Sequence, residues 1–455
     1  MNNTLALQLH NPWWTREELI LEDSKIIEFS KQKYQWIPEF YHHFPKNKDV
    51  ILTLRGPRQV GKTTLVKLLI KKILLKNKHQ RELIFYYPCD NIENFKELYE
   101  LLFNFIQDTR AKEPRQRLYL FLDEISFVKE WQRAIKSLAD LDFFKNATLL
   151  ITGSNSLDIL FSGERLPGRR GQIFSPDIEL LPLSFRELVL LVKPDIEELN
   201  AAHKDRLLKK LLFDYLVCGG FPASINEYFT KTLISPARYE VYLQWIQGDL
   251  HKTNKSEDLG LRLISRLVDS ISSTVSWYNL AKRTGIVSHS TVEEYVDILE
   301  KIFVLNKIFY CSLNGQPDYK KNKKIYFIDP FIFNTLKTKI DGFLGDAYVY
   351  SLNYLKNSEL LPKIMENLVH NYLNRSFDQV FYFSGKNKEI DFITKHKSRR
   401  RYFEVKYQNK VRVAEFREAQ KMIGANNLTV ITKQDYESCG YIKLIPIHQF
   451  LFSSL

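Results

Sequence analysis

The residues Gly56, Pro57, Arg58, Gln59, Val60, Gly61, Lys62, Thr63 and Thr64 have the types and spacing of a phosphate cradle. A glycine-rich turn aims backbone N–H groups at phosphate oxygens, and the positive end of a following helix favours the same anion. Lys62 supplies a point charge for the β- and γ-phosphates, and the Thr63 hydroxyl can ligate Mg²⁺. The apolar run Val50–Leu54 precedes the loop, and Leu65, Leu68, Leu69 and Ile73 follow at helical spacing. This strand–loop–helix context makes G-x-x-x-x-G-K-T a P-loop, with ATP and Mg²⁺ as the expected ligands.

Leu118–Ile125 is an apolar strand that delivers Asp123 and Glu124 at its C-terminal end. About 60 residues after a P-loop, such an Asp can hold Mg²⁺ and the adjacent Glu can activate water, which argues for hydrolysis over passive binding. Thr148–Ser156 is a further buried strand ending in polar residues. Ser154 or Asn155 there can orient the lytic water, or they simply form a strand-end turn. Arg165, Arg169 and Arg170 sit on a Gly/Pro-containing loop. Arg169 is read either as reaching the γ-phosphate of a neighbouring subunit in a homo-oligomer or as part of a solvated basic loop.

A second chemical signal lies near the C-terminus. Asp391 and Glu404, thirteen residues apart, fit opposite arms of a hairpin, and Glu404 and Lys406 share one face of a strand. Two carboxylates can hold Mg²⁺ or Mn²⁺ against a phosphate while the lysine orients or activates water. The bland alternative is alternating charge on a solvated strand face.

These groups need elements to position them. Strands at 50–54, 83–87, 118–125 and 148–156 alternate with helices after the P-loop, at 95–107 and at 130–142, which predicts α/β architecture with a doubly wound parallel sheet closing at 173–181. A helix from Thr15 to Phe29 is expected, with Thr15 and Glu18 as a capping box. The aromatic residues around Trp13, Trp14, Tyr34, Trp36, Phe40 and Tyr41 read as core or as a cover for adenine. Residues 184–250 have helical periodicity. Trp277–Gly285 and Ser288–Leu299 then read as a helix-turn-helix, followed by strands at 304–310 and 324–328 that flank a lysine cluster. If this module meets DNA, the helix from Ser288 enters the major groove and Lys320, Lys321, Lys323 and Lys324 touch phosphates; the alternative is packing against protein.

The chain has 455 residues, too many for one hydrophobic core. Its net charge of +13 favours a polyanionic partner, nucleic acid first and a membrane surface second. No apolar run approaches the roughly 18 residues needed to cross a bilayer, so no membrane-spanning segment is expected, and nucleic acid rather than a membrane is taken as the partner. Cys89, Cys218, Cys311 and Cys439 form no C-x-x-C pair, which fits a reducing cytoplasmic setting.

The P-loop, Leu122-Asp123-Glu124-Ile125, Thr152-Gly153-Ser154-Asn155, Leu166-Pro167-Gly168-Arg169, Leu181-Pro182-Leu183-Ser184-Phe185-Arg186-Glu187-Leu188 and Gly219-Gly220-Phe221-Pro222 occur in this order. Together they resemble the archaeal and bacterial AAA-type ATPases with a C-terminal DUF4143 domain. The resemblance implies an N-terminal helical segment (1–48), an ATPase core (49–183), a helical lid (184–258), a winged helix (259–336) and a nuclease-like domain (337–455). The last domain resembles the PD-(D/E)xK nuclease core, which implies Glu366 as an additional helix acid beside Asp391 and Glu404, and Gln408 or Gln420 as late polar partners. The expected function is ATP hydrolysis acting on DNA, with a metal-dependent nuclease-like module. The rival is a signalling or scaffold ATPase whose C-terminal module binds without cleaving.

Overall fold

The computed structural model describes residues 3–453 other than 77–80, 155–167, 172–174, 254, 386–387, 397–398 and 425. The chain divides into two compact units, Met1–Leu181 and Pro182–Leu455.

In the first unit, strands β1 (Val50–Arg55), β2 (Ile84–Pro88), β3 (Leu118–Asp123), β4 (Ala147–Gly153) and β5 (Asp177–Glu179) form one parallel sheet in the order β2-β3-β4-β1-β5. β1, β3 and β4 are apolar almost throughout because parallel strands are covered on both faces. Helices Lys62–Lys76, Phe95–Lys112 and Trp131–Asp140 connect them. Phe85, Leu120, Leu149, Trp131 and Ile135 lie in the main core on one side of the sheet.

The N-terminal segment closes the β2 edge. Asn11 imitates a strand: its amide donates to Tyr86 O at 3.0 Å and accepts from Tyr86 N at 2.7 Å. The Trp13 and Trp14 indoles both donate to Ile84 O, at 3.1 and 2.8 Å. Trp13 is fully buried and Trp14 packs against the main core, so these two are core, while Tyr34, Trp36, Phe40 and Tyr41 are partly exposed. The single helix expected over Thr15–Phe29 is instead a 3₁₀ segment at Glu17–Glu22 followed by an α-helix at Ser24–Lys31. Asp23 breaks it. Its extended backbone and its side chain, which accepts from Lys25 N at 2.9 Å, start a new helix, while Thr15 ends the short Pro12–Trp14 turn.

The second unit opens with helices Phe185–Val192, Ala201–Cys218, Pro222–Lys231 and Pro236–His251. Ser184 and Glu187 form a reciprocal capping box on the first. The Pro-Leu-Ser-Phe and Gly-Gly-Phe-Pro segments meet here: Leu183 N donates to Gly220 O at 2.7 Å, and Gly220 N donates to Asp329 at 2.7 Å. Gly219 has φ +62°, and a Cβ there would lie 2.1 Å from Asp329 Oδ1, so only glycine fits.

Helices Trp277–Thr284 and His289–Lys301 are joined through Gly285 at φ +74° and capped by Ser288, the expected helix-turn-helix. Strands β6 (Thr274–Val275), β7 (Leu305–Cys311), β8 (Pro317–Asp318) and β9 (Lys323–Phe327) pair antiparallel as a small ribbon beside these helices. β10 (Gln379–Ser384), β11 (Glu389–His396), β12 (Arg399–Lys406), β13 (Leu428–Thr432), β14 (Glu437–Cys439) and β15 (Ile442–Pro446) complete the unit. β7 pairs with β10, so the ribbon and the C-terminal strands form one mixed ten-stranded sheet that runs across the 336/337 boundary.

Candidate functional sites

The P-loop is shaped by backbone that few residues adopt. Gln59 and Gly61 have φ of +64° and +101°, and a Cβ on Gly56 would lie 2.1 Å from Leu180 O. Pro57 and Val60 are buried, while Arg58, Thr63 and Thr64 are partly exposed around the loop. The Lys62 ammonium donates to Gly56 O and Pro57 O, each at 3.0 Å, and lies 3.7 Å from Glu124 Oε1.

Asp123 is the hub. It accepts from Thr63 Oγ1 at 2.7 Å, from Tyr86 OH at 3.2 Å and from Thr152 Oγ1. Burial and the Asp123 carboxylate hold the Tyr86 hydroxyl well above its usual range, so it stays protonated and donates to Asp123. Glu124 has φ +52°, which turns its side chain out of the strand line, and its N–H donates to Thr152 Oγ1 at 3.1 Å. Ser154 Oγ donates to Glu124 Oε2 at 3.0 Å, so Ser154 does meet the carboxylate. Asn155 and Arg165 lie outside the described residues. Arg169 is ion-paired with Asp140, and Arg170 is structural: it is buried and bidentate to Asp177 at 2.8 Å.

Sequence reasoning missed Tyr86 and Thr152. Thr152 was legible in principle, since it lies two residues before Ser154 at the end of β4, whereas Tyr86 is brought in only by the β2–β3 pairing. The loop, Lys62, Thr63 and Asp123 fit a Mg·nucleotide, because a hydroxyl and a carboxylate already face each other beside the loop lysine.

The C-terminal residues also converge. Phe392 pairs with Phe403, which puts Asp391 opposite Glu404 on the β11–β12 hairpin. Asp391 N donates to Glu404 Oε2 at 3.3 Å, Val405 N donates to Asp391 Oδ2 at 2.8 Å, and Lys406 Nζ lies 2.7 Å from Glu404. Helix Leu360–Ser376 contributes Glu366, which accepts from Tyr326 OH at 2.7 Å. Burial pushes Glu366 up to about 7 and Glu404 up to about 8, and the Asp391 charge adds to both. Gln420 is not part of this group; its amide donates to the carbonyls of Gly424 and Asn426. Gln408 is exposed.

The lysines of β9 depart from the expected basic wing. Lys324 is 2% exposed, and its Nζ lies 2.7 Å from Glu389, 3.1 Å from Glu366 and 3.4 Å from Asp391. Burial alone would lower its pKa, but Asp391, Glu366 and Glu389 raise it, so it is a fixed cation. Lys323 is also buried, with Nζ 5.3 Å from the Trp277 ring centroid. Neither lies on the surface: alternation sends them to opposite faces of β9, and both faces are covered there. Lys320 and Lys321 remain exposed. The outward face of the His289–Lys301 helix carries Glu293 and Glu294 beside His289 and Ser290, a poor face for a polyanion.

The metal expected on Glu366, Asp391 and Glu404 does not fit this arrangement. Among the described residues no group of three or more His, Cys, Asp or Glu could hold a metal ion. The three acids converge as expected, but around ammonium groups.

Among the described residues no helix is long and apolar enough to cross a membrane. An AAA domain matches residues 48–189, a domain of unknown function (DUF8612) matches 209–342, and DUF4143 matches 362–450. An uncharacterized protein of Haemophilus influenzae is 26% identical over 370 residues, covering 80% of this chain and 84% of its own. One of Methanocaldococcus jannaschii is 24% identical over 335 residues, covering 68% and 67%. Among solved structures, a Walker-type ATPase of Pyrococcus abyssi is 14% identical with a TM-score of 0.43, covering 67% of this chain and 97% of its own. The ORC2 protein of Aeropyrum pernix is 12% identical with a TM-score of 0.38, covering 66% and 90%. The chain thus carries an AAA domain over its P-loop sheet and a DUF4143 domain over its C-terminal hairpin, the domain pair of an AAA-type ATPase with a C-terminal DUF4143.

Proposed function

We propose that the protein is a cytoplasmic ATPase that hydrolyses ATP at the P-loop and couples turnover to contact with nucleic acid, DNA in the first place. The observation that carries the hydrolytic reading is the meeting of Thr63 and Asp123 at 2.7 Å beside Lys62 and Glu124. Thr63 and Asp123 would hold Mg²⁺, which when bound screens charge on the phosphates. Lys62 leaves the loop carbonyls for the β- and γ-phosphates, and the loop N–H groups orient them. Glu124 takes a proton from water, with Ser154 holding its carboxylate in place. Arg169 is the candidate to act on a neighbouring subunit of a homo-oligomer, by exchanging Asp140 for a γ-phosphate.

The nucleic-acid part rests on the net charge of +13 and on exposed basic groups at Lys320, Lys321, Lys395, Arg399, Arg400 and Arg401. We assign the lid, winged helix and nuclease-like domain to 184–258, 259–336 and 337–455. ATP turnover with and without DNA tests the reading, alongside Lys62→Ala. Normal turnover by that variant would sink the P-loop assignment. Steep loss of DNA binding with salt supports nucleic acid as partner; salt-insensitive association with a protein supports a scaffold role instead.

A second reading applies to the C-terminal module: it binds without cleaving. The seat of Lys324 among the carboxylates favours it. A cleavage assay with Mg²⁺ or Mn²⁺ on duplex, branched and single-stranded DNA, beside a Glu404→Ala/Lys406→Ala control, decides between the two.

A further inference from the structure

We infer that Lys324 is the resident cation of the Glu366–Glu389–Asp391 cluster and closes the C-terminal site to divalent metal. The inference deepens the second reading above and rests on it.

The geometry is specific. β9 presents Lys324 and Tyr326 on one face, and both reach Glu366, at 3.1 and 2.7 Å. From the same position Lys324 Nζ spans Glu389 on the hairpin's open end and Asp391 two residues on. One ammonium thus bridges a helix and a hairpin, a tie that a metal ion supplies in a metal-dependent hydrolytic site.

The oxygens are engaged as well. Asp391 gives Oδ1 to Lys324 and Oδ2 to Val405 N. Glu404 gives Oε1 to Lys406 and Oε2 to Asp391 N. Glu366 Oε1 is shared by Lys324 and Tyr326. Mg²⁺ and Mn²⁺ require several oxygen ligands in near-octahedral array. An incoming ion would have to compete with these bonds and sit against a buried like charge. Lys324 is 2% exposed and packs 5.8 Å from the Tyr382 ring centroid, so it has no room to withdraw into water without strand movement.

The test is Mn²⁺ binding to the full-length, nucleotide-free protein, followed by loss of the free-ion electron paramagnetic resonance signal. A site is counted only if Asp391→Asn removes it, which separates it from any ion at Thr63 and Asp123. The wild type is expected to show no such site up to millimolar Mn²⁺. Lys324→Met is expected to gain one, with affinity at least about ten-fold tighter, and its melting temperature should rise with Mn²⁺ while that of the wild type does not. Lys324→Met/Glu389→Gln removes one charge of each sign and keeps Glu366, Asp391 and Glu404; it should gain the same site and serves if the single variant fails to fold. An Asp391-dependent Mn²⁺ site in the wild type overturns the inference. So does a folded variant of either kind that gains none. ATP turnover of the same proteins is read separately, so failure of the P-loop assignment and failure of this one are distinguishable.

Discussion

Thr63 donates its hydroxyl to Asp123 at 2.7 Å, joining the first residue pair of a helix to the last residue of a strand 60 positions later. The parallel order β3-β4-β1 makes this meeting obligatory, because the C-terminal ends of β1 and β3 emerge on the same edge of the sheet. Thr63→Ala and Asp123→Ala should therefore each lower ATP turnover by about 10²-fold or more and abolish the Mg²⁺ dependence of nucleotide binding. Steady-state turnover and equilibrium binding with and without Mg²⁺ check this.

Glu124 sits between the Ser154 hydroxyl and the Lys62 ammonium. Glu124→Gln should bind ATP normally yet hydrolyse it about 10²-fold or more slowly, since only the proton acceptor is lost. Ser154→Ala should have a smaller effect, about ten-fold on kcat with KM little changed, because it removes one bond that orients the base. Turnover of Glu124→Gln at the parental rate would place the base elsewhere.

Thr152 ties two acids together, donating to Asp123 and accepting from Glu124 N. Thr152→Val keeps the shape and removes both bonds, and should cost about 1–3 kcal/mol of stability and reduce kcat. Urea denaturation and turnover of the same sample separate the two effects.

Lys67 is buried against Asp23 at 3.0 Å, with its ammonium 3.5 Å from the Tyr86 ring centroid. Lys67→Met leaves Asp23 without its cation and should destabilise the protein by about 3–5 kcal/mol, whereas Lys67→Met/Asp23→Asn should recover part of this. A double-mutant cycle on melting or denaturant midpoints measures the coupling.

Asp329 gives a pH signature. Burial pushes its carboxyl up to about 7, against an ordinary value of 3.8, even though Gly220 N and Phe331 N donate to it. Between those values the folded chain holds a proton on Asp329 that the unfolded chain has released, so the contribution of this group is full at low pH and is lost as pH rises from about 4 to 7. The loss should be on the order of 2–4 kcal/mol. Asp329→Asn should flatten that part of the curve. An unchanged difference between pH 5 and pH 7.5 in the variant would show that other groups carry the dependence.

Much of the candidate chemistry was local enough to read directly. Gly56 to Thr64 between an apolar strand and an amphipathic helix, Asp123-Glu124 at a strand end, and Asp391 with Glu404 across a hairpin are each defined by spacing within one or two adjacent elements. Period-two alternation places Glu404 and Lys406 on one face of β12. The helix-turn-helix was legible for the same reason, with Gly285 as its turn and Ser288 as its cap.

What sequence alone determined was which side chains each strand and loop could present together; what only the tertiary structure decided was what those side chains would meet. Lys324 looks like one more lysine of a surface cluster until helix Leu360–Ser376 and the β11–β12 hairpin close around it. Tyr86 becomes a partner of Asp123 only through strand pairing, and Asp23 ends one helix and begins another because Lys67 and a cap geometry both claim it. The physical reason is that charge and hydrogen-bond energies depend on burial and on the nearest opposite group, and both are set by contacts between residues far apart in the chain.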